Sequence, residues 1–283
     1  MQSTPQPTPY AELNAVLHEL VASVRQAVGN DFIGAYLQGS FAVGDFDEHS
    51  DADFVVAIRN ELSEAQVAEL QRVHERIYGL ESEWARHLEG SYFPGAILRS
   101  GDQCGEPLWY LDHGSNRLIR SDHCSTLVVR SVVRERGITL AGPDPTRLVD
   151  PISVMALRRE MSNTMRTFAK EIFEQQERYR NRFYQGYIVL SYCRMLHDLV
   201  KGRPGSKREG AAWAKATLGS DWSALIDRAW TRRPNPAVAV REPADPVDFE
   251  ATLRFVEAVL RECEAYMSSK DSTEYDPRSQ KMN

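Results

Sequence analysis

The amino-acid sequence predicts an α/β domain over residues 11–150 followed by an all-α helical bundle over residues 151–268. Three observations carry that reading. Up to about residue 150, short runs rich in β-branched and aromatic residues alternate with stretches of helical periodicity, which is the order of an α/β fold. From Pro151 onward no strand candidate remains, and every long segment repeats its apolar residues at helical spacing. The 283 residues also outgrow the roughly 250 that one hydrophobic core organises, so two domains are expected.

The elements follow in order. "AELNAVLHELVASVRQAV" (11–28) places Leu13, Val16, Leu17, Leu20, Val21, Val24 and Val28 at helical spacing and stops at Gly29-Asn30. "FIGAYLQ" (32–38) and "ADFVVAI" (52–58) read as strands. A long helix is expected over about 62–88, opened by Ser63, with Leu70, Val73, Ile77 and Leu80 on its apolar face. Strands over 89–100 and 107–112, a helix over 122–137 and a last strand within 137–145 complete the first domain. The bundle is expected to hold helices at about 152–181, 184–201, 207–218, 221–231 and 246–267, with a proline-rich connection at 231–246. The polar ends, 1–10 and 269–283, are expected to be flexible.

An apolar share of 42% with 26% charged residues fits a soluble globular chain, and no apolar run reaches the roughly 18 residues that a membrane span needs. "MQSTPQPTPY" lacks the basic-then-apolar order of a secretory signal, so a cytoplasmic location is expected. Cys104, Cys124, Cys193 and Cys263 are too scattered for a disulfide framework or a zinc site and read as reduced, structural residues. A net charge of -6 weighs against a nucleic-acid partner. A monomer without membrane contact is the expectation.

Function is concentrated in "LQGSFAVGDFDEHSDADFVVAI" (37–58), where Gly39-Ser40 ends one strand and Asp51-Ala52-Asp53 opens the next. Side chains two apart on a strand share a face, so Asp51 and Asp53 can hold one cation. Magnesium favours carboxylate and phosphate oxygens, which makes the pair a platform that a nucleotide triphosphate completes. Gly39 lets the backbone approach phosphate, Ser40 offers a hydroxyl and an N–H at the start of a short helix, and Ser50 is a further candidate for nucleotide contact. In the second domain, "SKRE" (206–209) is a capping box that opens a helix. Lys207 therefore sits in a first turn, where the helix dipole disfavours cations, and positive charge there implies an anion to hold. Arg194, about two turns before the preceding helix ends, could grip the same phosphates.

The Gly-Ser, ten residues, Asp-x-Asp spacing resembles the nucleotidyltransferase superfamily that shares the DNA polymerase β palm. "VLSYCRMLHDLVKGRPGSKREGAAWA" (189–214) and "LAGPDP" at the domain junction resemble the aminoglycoside (3″)(9) adenylyltransferases, the similarity covering roughly residues 35–230. The resemblance implies a small mixed sheet in the first domain and magnesium-dependent transfer of AMP from ATP to a hydroxyl of a spectinomycin- or streptomycin-like acceptor. It implies Asp51 and Asp53 as metal ligands, Glu89 as general base with third metal ligand as its alternative, and Arg194 and Lys207 as triphosphate ligands. Trp230 is a candidate for stacking on adenine. Trp109 and Asp112 lie where the family has a tryptophan that contacts the aminoglycoside. His113 and His123 read as surface or hydrogen-bonding residues and not as ligands.

One stretch departs from the family. Arg180 and Tyr184 stand where acids bind the cationic drug, and Arg178, Arg180 and Arg182 would repel a polycation. An acceptor hydroxyl on a protein or an RNA, or a nucleotide-sensing binding module, are the alternatives to a small acceptor.

Overall fold

The structure is a computed structural model that describes residues 6–47, 50–233 and 239–274. It divides into two compact units, Met1–Ile152 and Ser153–Asn283.

The first unit is a six-stranded mixed sheet with helices on both faces. In chain order it runs α1 (Ala11–Val28), β1 (Phe32–Leu37), α2 (Gly39–Val43), β2 (Ala52–Ile58), α3 (Glu64–Tyr78), β3 (Leu88–Pro94), α4 (Gly95–Arg99), β4 (Leu108–Leu111), β5 (Leu118–Ser121), α5 (Leu127–Arg136) and β6 (Ile138–Ala141). Strand order is β5-β4-β3-β2-β1-β6. Only β2 and β3 pair in parallel, and the crossover α3 supplies the length that a parallel connection needs. Alternation along β2 sends Phe54, Val56 and Ile58 into one core with Leu17 of α1 and Leu70 of α3. Val55 and Ala57 join the opposite core with Phe93 and with Val133 of α5.

Several boundaries differ from expectation for local reasons. The helix opened by Ser63 has a full capping box with Gln66 but ends at Tyr78 before Gly79, and the next residues form a separate three-ten turn, Glu83–Arg86. Leu80, expected on its buried face, is 37% exposed. The strand expected through residue 100 stops at Pro94, which has no N–H to extend a ladder. β5 was absent from the sequence reading because "LIRS" is a half-exposed edge strand without alternation. Within residues 6–10, expected to be flexible, two side chains are packed: Thr8 is buried and its N–H donates to Asn14 Oδ1 at 3.0 Å, while the Tyr10 ring lies 5.0 Å from the Trp84 ring.

The second unit is a helical bundle of α6 (Val154–Glu174), α7 (Gln176–Tyr179), α8 (Arg182–Lys201), α9 (Lys207–Thr217), α10 (Ser223–Thr231) and α11 (Pro246–Glu274). α8 packs against α6, α9, α10 and α11. Its unbroken run of buried residues from Ile188 to Cys193 is what a helix surrounded on all sides requires. α8 and α9 approach so closely at Gly210 that a Cβ there would lie 2.6 Å from the Arg194 Cα. The last helix continues to Glu274, beyond the expected end at 267, and the rest of the tail lies outside the described residues.

Candidate active site

The alternation that builds the sheet also builds the site. Val55 and Ala57 face the α5 side, so Asp53 and Asp51, two and four residues before Val55, continue that face beyond its apolar part. On β3 the same face carries Phe93, Ser91 and Glu89. Parallel pairing sets Asp53 beside Glu89 in register. Carboxylate oxygens of Asp51, Asp53 and Glu89 all lie within 4.8 Å of one another. Three like charges this close repel, and a divalent cation bound by hard oxygens relieves the repulsion. The donor set therefore fits magnesium.

β1 ends at Leu37, and Gln38 caps the single-turn helix α2 by accepting from the Gly39 N–H at 2.7 Å. Gly39 has φ of +60°, and a Cβ there would meet Asp53 Oδ2 at 1.8 Å. The glycine thus holds the chain directly against the carboxylate. Ser40 Oγ is buried and has no hydrogen-bond partner among the described residues, a costly state that a ligand oxygen would relieve. Ser50 is placed differently: its hydroxyl accepts from the Asp47 N–H at 2.9 Å and closes a turn.

Glu89 has partners that sequence reasoning missed. Tyr110 Oη lies 2.8 Å from Glu89 Oε1 and 2.9 Å from Asp112 Oδ1. His123 Nε2 lies 3.4 Å from the same Glu89 oxygen, and that contact raises the His123 pKa against the opposing effect of its burial. Burial and the adjacent Glu89 charge push the Tyr110 phenol far above its ordinary range, so it stays protonated. His113 instead pairs with His87 at 2.8 Å. Trp109, the aromatic singled out from the sequence, packs into the core on the other face of the sheet, with the Arg120 guanidinium 5.6 Å from its ring centre. Its neighbour Tyr110 is the residue that faces the carboxylates.

In the second unit the capping box forms as expected, with Ser206 Oγ accepting from the Glu209 N–H at 3.0 Å. Lys207 Nζ lies 5.3 Å from the centre of the Tyr187 ring. Arg194 is half-buried beside Gly210 and lowers the pKa of the buried Asp198, though burial of that carboxyl outweighs it and leaves the pKa raised. Trp230 is half-buried, with the guanidiniums of Arg208 and Arg233 at 5.1 Å and 4.3 Å from its ring centre, so an adenine would compete with them for its face. The basic stretch that departs from the family is largely compensated. Arg178 pairs with Glu171 at 2.7 Å, Arg180 lies 3.9 Å from Glu177, and Arg182 pairs with Glu242.

The fold matches a solved structure of spectinomycin adenyltransferase AAD(9) from Enterococcus faecialis, determined with ATP and spectinomycin, at a TM-score of 0.64 and 16% identity. The match covers 87% of this chain and 98% of that one. No curated protein matches the sequence. Two family models match in tandem: a nucleotidyltransferase domain over residues 17–89 and the C-terminal domain of aminoglycoside adenylyltransferases over residues 147–248. The chain is an aminoglycoside adenylyltransferase-like nucleotidyltransferase. The first match in this nucleotidyltransferase runs from α1 to Glu89 and takes in the whole Gly39–Asp53 segment. The second takes in Arg194, Lys207 and Trp230. Among the described residues no helix of this adenylyltransferase is long and apolar enough to cross a membrane.

Proposed function

We propose that this enzyme transfers AMP from ATP to a hydroxyl of an aminoglycoside-like acceptor, with magnesium, and releases pyrophosphate. The convergence of Asp51, Asp53 and Glu89 beside Gly39 carries the proposal. Asp51 and Asp53 hold the cation, which when bound neutralises charge on the triphosphate. The Gly39–Ser40 turn receives phosphate oxygens, with the orphaned Ser40 hydroxyl as a donor. Arg194 and Lys207 stabilise phosphate charge. Glu89 takes the acceptor's proton as the acceptor oxygen attacks the α-phosphorus, and the bond to the bridging oxygen breaks to free pyrophosphate. Spectinomycin carries fewer positive charges than streptomycin, and it is the acceptor found in AAD(9). The ion pairs of Arg178 and Arg182 within the bundle leave such an acceptor less repulsion than the bare sequence implies. Cys104, Cys124, Cys193 and Cys263 form no disulfide, in keeping with the cytoplasmic, monomeric enzyme that we propose.

Pyrophosphate release measured across an aminoglycoside panel, with ATP and magnesium, tests the reading, and spectinomycin is expected to give the signal. Glu89→Gln should lower turnover by about 10²–10⁴ with ATP affinity nearly unchanged. A parallel loss of magnesium-dependent ATP binding would make Glu89 a metal ligand instead.

A further inference from the structure

Two contacts of Glu89, from Tyr110 and from His123, converge on one carboxylate oxygen. Tyr110 and Asp112 alternate onto Glu89's face of the sheet, because the neighbours Trp109 and Leu111 enter the opposite core. The Tyr110 ring is locked among Phe93, Leu108 and Cys124, with 4% of the residue exposed, so its hydroxyl has little freedom to move. A buried phenol needs a hydrogen-bond partner, and this one has two carboxylates, Glu89 at 2.8 Å and Asp112 at 2.9 Å. The hydroxyl carries one proton for the pair. Glu89 is approached by Tyr110 and by His123 through the same oxygen, Oε1. A glutamate has three side-chain torsions, and gripping one carboxylate oxygen from a rigid ring fixes where the other oxygen lies.

We propose that Tyr110 is a positioning residue: its hydroxyl holds Glu89 through Oε1 so that Oε2 is presented to the acceptor hydroxyl. The inference rests on Glu89 serving as the base of the proposed transfer. Its cause is geometric. A base displaced by about 1 Å from the proton it removes loses on the order of 10²-fold in rate, although nothing about nucleotide binding has changed.

Tyr110→Phe keeps the ring and its packing and removes only the hydroxyl. The expected result is a kcat lowered by about 10–100-fold with the KM for ATP within about twofold of wild type. Because Tyr110 acts through Glu89, adding Tyr110→Phe to Glu89→Gln should lower kcat no further. A crystal structure of Tyr110→Phe should show the Glu89 carboxylate moved or in alternate conformers. Wild-type kcat in Tyr110→Phe, or the same fold-loss in the Glu89→Gln background as in wild type, overturns the proposal. If the unmutated enzyme releases no pyrophosphate with any acceptor tried, the functional reading fails, and the crystal structure still decides the positioning. A Glu89 carboxylate that stays ordered in place without the hydroxyl refutes it.

Discussion

Replacing Gly39 by alanine probes the metal carboxylates without touching any of them. Two costs are expected, and the structure separates them. The first is backbone: at φ of +60° an alanine pays the left-handed penalty of about 1–2 kcal/mol. The second is contact: the new Cβ would lie 1.8 Å from Asp53 Oδ2 and 2.6 Å from the carboxyl carbon, far inside the roughly 3.5 Å at which non-bonded atoms attract. Even the Asp53 Cβ would be 3.0 Å away, so the carboxylate must swing out and leave Asp51 and Glu89. Gly29 supplies a control for the contact alone, since at φ of +57° and ψ of −127° it also carries a backbone cost but has nothing within 4 Å of an added Cβ. Gly29→Ala should therefore lose only the backbone cost, a melting temperature lowered by a few degrees, and keep full turnover. Gly39→Ala should lose at least as much stability and at least about 10²-fold in turnover, with magnesium binding weakened in calorimetry. Thermal melts and single-turnover pyrophosphate release on the pair of variants make the comparison. If Gly39→Ala keeps wild-type turnover and metal affinity, Asp53 does not act from the position that Gly39 makes room for, and the metal assignment is wrong.

Three other outcomes follow from particular contacts. His74 is buried, its imidazole 2.7 Å from Tyr92 Oη, and burial pushes its pKa down to about 4. The stability tied to its neutral form is complete above the unfolded-chain value of about 6.5 and is lost as pH falls toward 4, by about 2 kcal/mol at pH 5. Urea unfolding at pH 7 and pH 5 should show that loss in wild type and a smaller one in His74→Gln. Lys207→Ala should raise the KM for ATP with stability within about 0.5 kcal/mol of wild type, because relief of the helix-dipole conflict offsets the lost contact with Tyr187; an unfolded variant would mark Lys207 as structural. Gly210→Ala should destabilise the bundle by 1–3 kcal/mol or more and raise the KM for ATP together, since its Cβ would press on the backbone that carries Arg194; an unchanged melting temperature would refute the close α8–α9 approach.

What the sequence revealed follows how local each feature is. Gly39, Ser40, Asp51 and Asp53 lie in one short segment, and the period of a strand suffices to put the two aspartates on one face. Glu89 reaches them only through the parallel pairing of β2 with β3, which no local pattern encodes, so a family resemblance had to point to it. Tyr110 was passed over for Trp109 because the two differ by a single step of strand parity. Which parity faces Glu89 depends on the register with β3. The long helix was overextended because Leu80 keeps the helical period for one residue after Gly79 has ended it. Repulsion from Arg182 is weaker than its sequence neighbourhood implies because its partner, Glu242, lies some 60 residues away, within the proline-rich connection.

The parallel pairing of β2 and β3 also bears on how the enzyme comes into being. An antiparallel hairpin could bring its two strands together early, through a tight turn. Here Asp53 and Glu89 meet only after the whole of α3 has emerged and folded back, so loop-closure entropy must be overcome before these two carboxylates come together. A nascent chain that ends within α3 therefore carries the Gly-Ser and Asp-x-Asp segments without the third carboxylate. The cluster of Asp51, Asp53 and Glu89 is completed only when β3 docks.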